Sequence, residues 1–432
     1  MQYPQLHLSA PEIAHHRELT EAFANKALAA TRNHRHDRAY LRGQGYKLTQ
    51  DKNGSQTYQR TCPTSSFEEY FMTGICDTTI DEMSYGIYTE TTHDLRTLFA
   101  LTFKNDFMDA AILQTCETQT EEDPVHWFGI KYARLYLHAS IFQPRDTVYS
   151  ELSGTRVDEA GYRTIFQVRR TIETPLFPAF PHVVRFDHQM GWVFSELPDR
   201  RIQFTIIGHL DPHGNMPAWV FNKMTPKKHA ASCTMFSELV RLRRLVEAPS
   251  KDTLWVVDGS PRRCTMCPKN TKHWKYCRCC GQVTCRKCLL TISQPLKVTW
   301  SKADPARHIS HPMDKAVYCK ACFKAPPNSG MSEHTQSKHS SITSNDFDTA
   351  LTVSSSQGSF RDSALHSTAS EGPATQVMVT RAKSLQDVNE VPQATLVGAF
   401  NPAVQESLAY QRLLVEQMQR SLVVQQNITN SQ

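Results

Sequence analysis

Thirteen cysteines occur in this chain of 432 residues, and nine of them lie between Cys264 and Cys322. Eight form four Cys-x2-Cys pairs, Cys264/Cys267, Cys277/Cys280, Cys285/Cys288 and Cys319/Cys322, separated by nine, four and thirty residues. Such a knuckle sets two sulfurs at adjacent vertices of a tetrahedron, and two knuckles complete the coordination of one Zn²⁺. Eight thiolates therefore predict two zinc ions. Both are expected to be structural, since thiolate fills every position and leaves none for a reactive water. Redox dithiols or unpaired core thiols do not account for four knuckles so close together. Cys279 is the odd cysteine, expected to point away from both metals. Residues 251–325 carry a formal charge of +11 against +6 for the whole chain, which leaves the remainder at −5. Two zinc tetrathiolates lower the module's charge to about +7. It remains basic and, with few large aliphatic residues, is expected to need its metal in order to fold.

The elements around this module divide the chain into four regions: 1–248, 251–325, 326–400 and 401–425. Composition is 40% hydrophobic and 21% charged, slightly apolar-poor for one compact globule. Residues 326–400 are rich in Ser, Thr, Gln and Asn and cannot bury enough apolar surface to offset chain entropy, so disorder is expected there. Residues 401–425 read as an amphipathic helix with Val404, Leu408, Val415, Met418 and Leu422, suited to a protein partner. No uninterrupted apolar run of about 18 residues occurs. No basic and apolar leader is visible at the start, so a cytoplasmic chain with reduced thiols is expected.

Residues 1–248 mix helical and strand patterns. A first helix carries Ile13, Leu19, Phe23 and Leu28 on one face, and Asn53-Gly54 predicts a hairpin turn. Helix is expected over Thr79–Phe103. Strands are expected over Val125–Val148, Tyr162–Ile172, His182–Phe186, Gly191–Leu197 and Arg201–Leu210. A long helix follows Pro226, Lys227–Val246, with Met235, Leu239, Leu242 and Val246 in one stripe. Antiparallel strands followed by an amphipathic helix make an α+β domain. On pattern alone the stripe completes a packed core. No GxSxG, HExxH or phosphate-cradling glycine loop is present, so no enzymatic activity is expected.

This order of elements resembles the START lipid-binding domain, a helix-grip fold. Local phrases resemble it too: Gly129-Ile130-Lys131-Tyr132 ahead of Pro144-Arg145-Asp146, and Gly191-Trp192-Val193 ahead of Gly214-Asn215-Met216-Pro217-Ala218-Trp219. The resemblance covers about residues 10–248. It implies a lipid held between the sheet and the final helix, with Met235, Leu239 and Leu242 lining the cavity.

The cysteine module resembles a degenerate FYVE zinc finger. Trp255-Val256-Val257-Asp258 is similar to that family's WxxD, Cys277-Arg278-Cys279-Cys280-Gly281 to its CRxCG, and Tyr318-Cys319 opens its last knuckle. The resemblance implies a two-zinc cross-brace, with Cys264, Cys267, Cys285 and Cys288 on one ion and Cys277, Cys280, Cys319 and Cys322 on the other. It also implies headgroup contacts from Trp255, Asp258, Lys272, His273, Lys275 and Arg278. The family's paired histidines are replaced by Lys275 and Tyr276, so charge rather than stereospecific phosphoinositide recognition is expected to drive contact with anionic membranes. A peripheral, endosomal location fits that contact. Nucleic acid ranks last, because no recognition helix or single-strand stacking platform is visible. The combined expectation is a non-enzymatic lipid-binding or lipid-transfer protein. The alternative is an adaptor with a vestigial cavity and a finger that binds proteins.

Overall fold

The computed structural model describes residues 3–33, 37–52, 54–137, 142–233, 235–250, 263–267, 273–297 and 310–325, all within one compact unit. Regions 326–400 and 401–425 lie outside the described residues, as do Trp255, Asp258 and Lys272.

Helices α1 (Ala10–Asn33) and α2 (Arg38–Gly43) precede strands β1 (Lys47–Lys52), β2 (Ser55–Thr61) and β3 (Glu68–Cys76). Helices α3 (Ile80–Ile87) and α4 (Thr92–Phe103) come next. They are two helices rather than the one expected, because Thr79 with Glu82 and Thr91 with Asp94 each form a capping box. Each box satisfies free amide donors and so starts a new helix. Then follow β4 (Phe107–Glu117), β5 (Trp127–Leu135), β6 (Arg145–Val157), β7 (Arg163–Thr171), β8 (Val184–Arg185), β9 (Asp187–Glu196) and β10 (Ile202–Asp211). The sheet runs β1-β2-β3-β10-β9-β7-β6-β5-β4, antiparallel throughout, with β8 parallel to β6 beside it. Gly54 makes the β1–β2 turn at φ 73°, a conformation that glycine adopts without strain.

The chain then closes with α5 (Ala218–Cys233) and α6 (Phe236–Glu247). The expected helix Lys227–Val246 is therefore corrected in two ways. It starts nine residues earlier, where the Pro217 carbonyl accepts the Phe221 N–H at 3.2 Å, and it is interrupted between Cys233 and Phe236. Pro226 lies within α5 rather than ahead of it. Buried Val220 and Phe221 anchor the turns upstream of the proline, so burial outweighs the amide it lacks.

Each face of the sheet is covered. On one, Phe23, Ala24, Ala27 and Leu28 of α1 pack on Phe71, Phe128, Phe166 and Val193. A Cβ on Gly191 would stand 3.1 Å from that of Ala27, so glycine lets α1 lie close. On the other, α3, α4 and α6 meet Tyr70, Met72, Phe194, Phe204 and Ile206. Phe236 at the start of α6 meets Phe194 and Phe204 edge-on, with centroids 5.2 and 5.5 Å away. Buried side chains of this size contribute roughly 1.5–3 kcal/mol each. A curled antiparallel sheet holding a C-terminal helix is the helix-grip arrangement.

The cysteine module consists of hairpin β11 (Trp274–Tyr276) with β12 (Val283–Cys285), hairpin β13 (Leu289–Pro295) with β14 (Met313–Cys319), and the short α7 (Lys320–Lys324). It packs on the helix-grip fold, with β13 along α4 and α7 against α6. The His311 N–H donates to the Met108 carbonyl at 2.7 Å, and the Leu6 N–H to Leu113 at 3.0 Å. Both contacts cover edge strand β4. At the opposite edge, exposed β1 presents Lys47, Asp51 and Lys52, charges that discourage pairing with another sheet.

Candidate metal centres and ligand interior

The cysteines form two groups, Cys264, Cys267, Cys285 and Cys288 in one and Cys277, Cys280, Cys319 and Cys322 in the other, with all sulfurs of a group within 4.8 Å of one another. This is the cross-brace that the finger resemblance implies. Sulfur separations are 3.7 Å for Cys267–Cys285, 3.9 Å for Cys277–Cys322 and 3.8 Å for Cys280–Cys319. A tetrahedron with Zn–S bonds of about 2.3 Å has edges of about 3.8 Å, so the donor sets fit zinc. Backbone amides complete the second group: Cys319 N–H donates to Cys277 Sγ at 3.2 Å, and Cys322 N–H to Cys319 Sγ at 3.3 Å. The thiols of Cys319 and Cys322 hold that of Cys277 far below its ordinary value, favouring the thiolate a metal requires. Cys279 belongs to neither group. It is buried in the apolar core beside them.

The headgroup residues expected from sequence are only partly brought together. His273 and Lys275 are exposed, but Arg278 is half-buried and donates to Asp314 Oδ2 at 3.0 Å. Trp274 is half-buried, with its ring 5.3 Å from that of Tyr276. Arg286, Lys287, Lys315 and Lys320 add exposed basic charge to the module.

Of the residues expected to line a cavity, Leu239 is buried in the cluster beneath α6 and Leu242 packs at its margin. Met235 is half-buried and precedes α6, where its carbonyl accepts the Leu239 N–H at 2.7 Å. The interior also contains a charged cluster that periodicity did not reveal. Lys131 on β5, Glu151 on β6 and Arg169 on β7 lie on one face of three adjacent strands, since Glu151 faces Arg169 and Lys131, opposite Tyr149, sits two pairs along. Lys131 Nζ donates to Glu151 and to Thr89 Oγ1 (2.9 Å), and Arg169 Nε donates to Glu151 Oε2 at 2.7 Å. Burial pushes the Lys131 ammonium down to about 8, against the pull of Glu151. Burial raises the Glu151 carboxyl, but Lys131 and Arg169 outweigh it and hold the group below its ordinary value. Lys131 also sits 3.8 Å above the Trp127 ring, a cation–π contact. Nearby His188 is pushed down to about 3, first by burial and then by Arg169, so it is neutral near pH 7.

Trp127 Nε1 and the Tyr149 hydroxyl are buried beside this cluster without a hydrogen-bond partner among the described residues. This cluster thus sets two cations, one anion and two unused polar groups next to an apolar wall. Space bordered by Trp127, Lys131, Glu151 and Gln167 does not admit a water molecule in this conformation. The sequence signal for the cluster was a charged residue on the inward parity of three strands, legible only once register is known.

No protein-family model matches the chain, and no curated protein matches it in sequence. Among solved structures, human StAR-related lipid transfer protein 5 is 20% identical with a TM-score of 0.41, over 53% of this chain and 97% of that one. Human STARD10 is 15% identical with a TM-score of 0.35, over 47% and 79% of the two chains. A STAR-related lipid transfer protein fragment from Xanthomonas axonopodis is 16% identical with a TM-score of 0.36, over 46% and 99%.

Proposed function

We propose that this protein binds one amphiphilic lipid between the sheet and α6, without chemistry on it, and that its zinc-bearing module supports contact with anionic membranes. The observation that carries the reading is the pair of unused polar groups, Trp127 Nε1 and Tyr149 OH, beside a buried Lys131–Glu151–Arg169 cluster in an apolar interior. Leaving a buried polar group unpaired costs about 1–3 kcal/mol, and the oxygens of a lipid headgroup would remove that cost. The excess of cations over anions favours a head rich in acceptors. The cavity is closed in this conformation, so entry requires α6 to lift, and the interruption between α5 and α6 supplies the hinge. Leu239→Trp, which sets a bulkier ring beneath α6, is expected to take the place proposed for the lipid there and abolish lipid co-purification with only a modest loss of stability. In a solid core the same change would overpack and cost ~1–3 kcal/mol or more.

An adaptor with a vestigial cavity is the second reading, and the closed packing of Phe236 on Phe194 and Phe204 favours it. Membrane contact rests on exposed Lys275, Arg286, Lys287, Lys315 and Lys320. Sedimentation with anionic liposomes should weaken steeply with salt and discriminate poorly among phosphoinositides. Salt-resistant binding selective for one isomer would contradict a charge-driven contact, since Arg278 is already paired with Asp314.

A further inference from the structure

The two four-cysteine groups differ in what surrounds them. Cys277 and Cys319 of the second group are buried in the same apolar cluster as Phe236, Leu239 and Leu245 of α6 and Ile80, Met83 and Ile87 of α3. Cys280, Cys322 and Phe323 pack against that cluster. No cysteine of the first group belongs to it. Helix α7, which carries Cys322, lies against α6, and β13 lies along α4. The thirty-residue interval between Cys288 and Cys319 holds the long hairpin that makes this second contact. Its far end bonds to the sheet through the His311 N–H and the Met108 carbonyl, and Met313 packs on the cluster that includes Phe99 and Phe107. Helix α6 is tied from its other side to α3: Arg243 donates to the Tyr85 carbonyl at 2.8 Å and pairs with Glu247 at 2.7 Å, and the Tyr85 hydroxyl donates to Glu247 at 2.6 Å.

We propose that the second four-cysteine group is a metal-dependent latch on the interior: its occupancy holds α6 and α4 against the sheet, and its loss frees them. Metal binding supplies the free energy that gathers four sulfurs within 4.8 Å; when the metal leaves, the sulfurs take up protons and the knuckles lose what holds them together. The apolar surface that Cys319, Tyr318 and Phe323 share with α6 is then lost. Coupling of this kind is reciprocal, so loosening α6 must also weaken the metal. The latch itself does not depend on the lipid reading; only its role in lipid retention rests on that proposal.

Two measurements on the full chain test it, and neither uses a lipid. The first is amide hydrogen exchange before and after zinc removal with a chelator. Residues 236–247 and 92–103 should exchange about tenfold faster or more, whereas 10–33, on the opposite face of the sheet, should keep their protection. Unchanged exchange in 236–247, or equal loss everywhere, would overturn the latch. The second is zinc release to a chromophoric chelator from Leu245→Ala, which thins the shared cluster, and from Leu28→Ala, which thins the α1 cluster. One of the two zinc ions should leave about tenfold faster in the first variant and at the wild-type rate in the second. Equal release from both variants would overturn the coupling.

Discussion

Cys319→Ser should lower bound zinc from about two ions per chain to about one and unfold the second hairpin of the cysteine module. Cys319 is 2% exposed at the junction of β14 and α7, and its sulfur accepts the N–H of Cys322. One substitution therefore removes a ligand, a helix cap and part of a buried surface. Structural zinc contributes on the order of 10 kcal/mol or more in small modules, far more than a cap or one apolar contact. Elemental analysis of metal-replete protein provides the measurement. Two zinc ions retained by the variant would show that Cys319 is not a ligand.

Glu151→Gln should destabilise the helix-grip fold by about 3–5 kcal/mol, because it leaves Lys131 and Arg169 in the interior without their anion. Glu151 is 1% exposed, Lys131 0% and Arg169 8%, so water cannot replace the lost partner. Urea unfolding at neutral pH measures the cost. Adding Lys131→Met to Glu151→Gln should recover part of it, since fewer charges are then left uncompensated. A single variant within 0.5 kcal/mol of wild type, about the effect of a surface change, would mean that the cluster is solvated in the folded protein.

These two sites differ in how far the sequence reveals them. The eight paired cysteines were legible because a knuckle is local: spacing along the chain sets the geometry at which its two sulfurs can meet a metal. Their division into two groups of four was not fixed by spacing and came from the resemblance to FYVE fingers. The ion cluster joins residues 18 to 20 positions apart, and only the sheet register brings them together. Most strands were legible from alternation, but β3 and β4 were missed. β4 is buried on both faces along most of its length, so its apolar residues do not alternate, and without that period strand cannot be told from helix. The single helix expected over Thr79–Phe103 overlooked two threonine caps, and Pro226 displaced the expected start of the last helix. The docking of the cysteine module on α4 and α6 left no local signal, since the thirty residues between Cys288 and Cys319 entered the sequence reading only as a spacing between knuckles.

The central claim is that the interior holds a lipid, and native mass spectrometry of the full chain purified from a lipid-containing host tests it most directly. The wild type should carry one non-covalent lipid mass beyond the apoprotein and zinc, and that lipid should be extractable into organic solvent. Leu239→Trp should carry none. A wild type that binds zinc but no lipid, even after incubation with mixed phospholipid, sterol and fatty-acid vesicles, would contradict the account and leave the adaptor reading in its place.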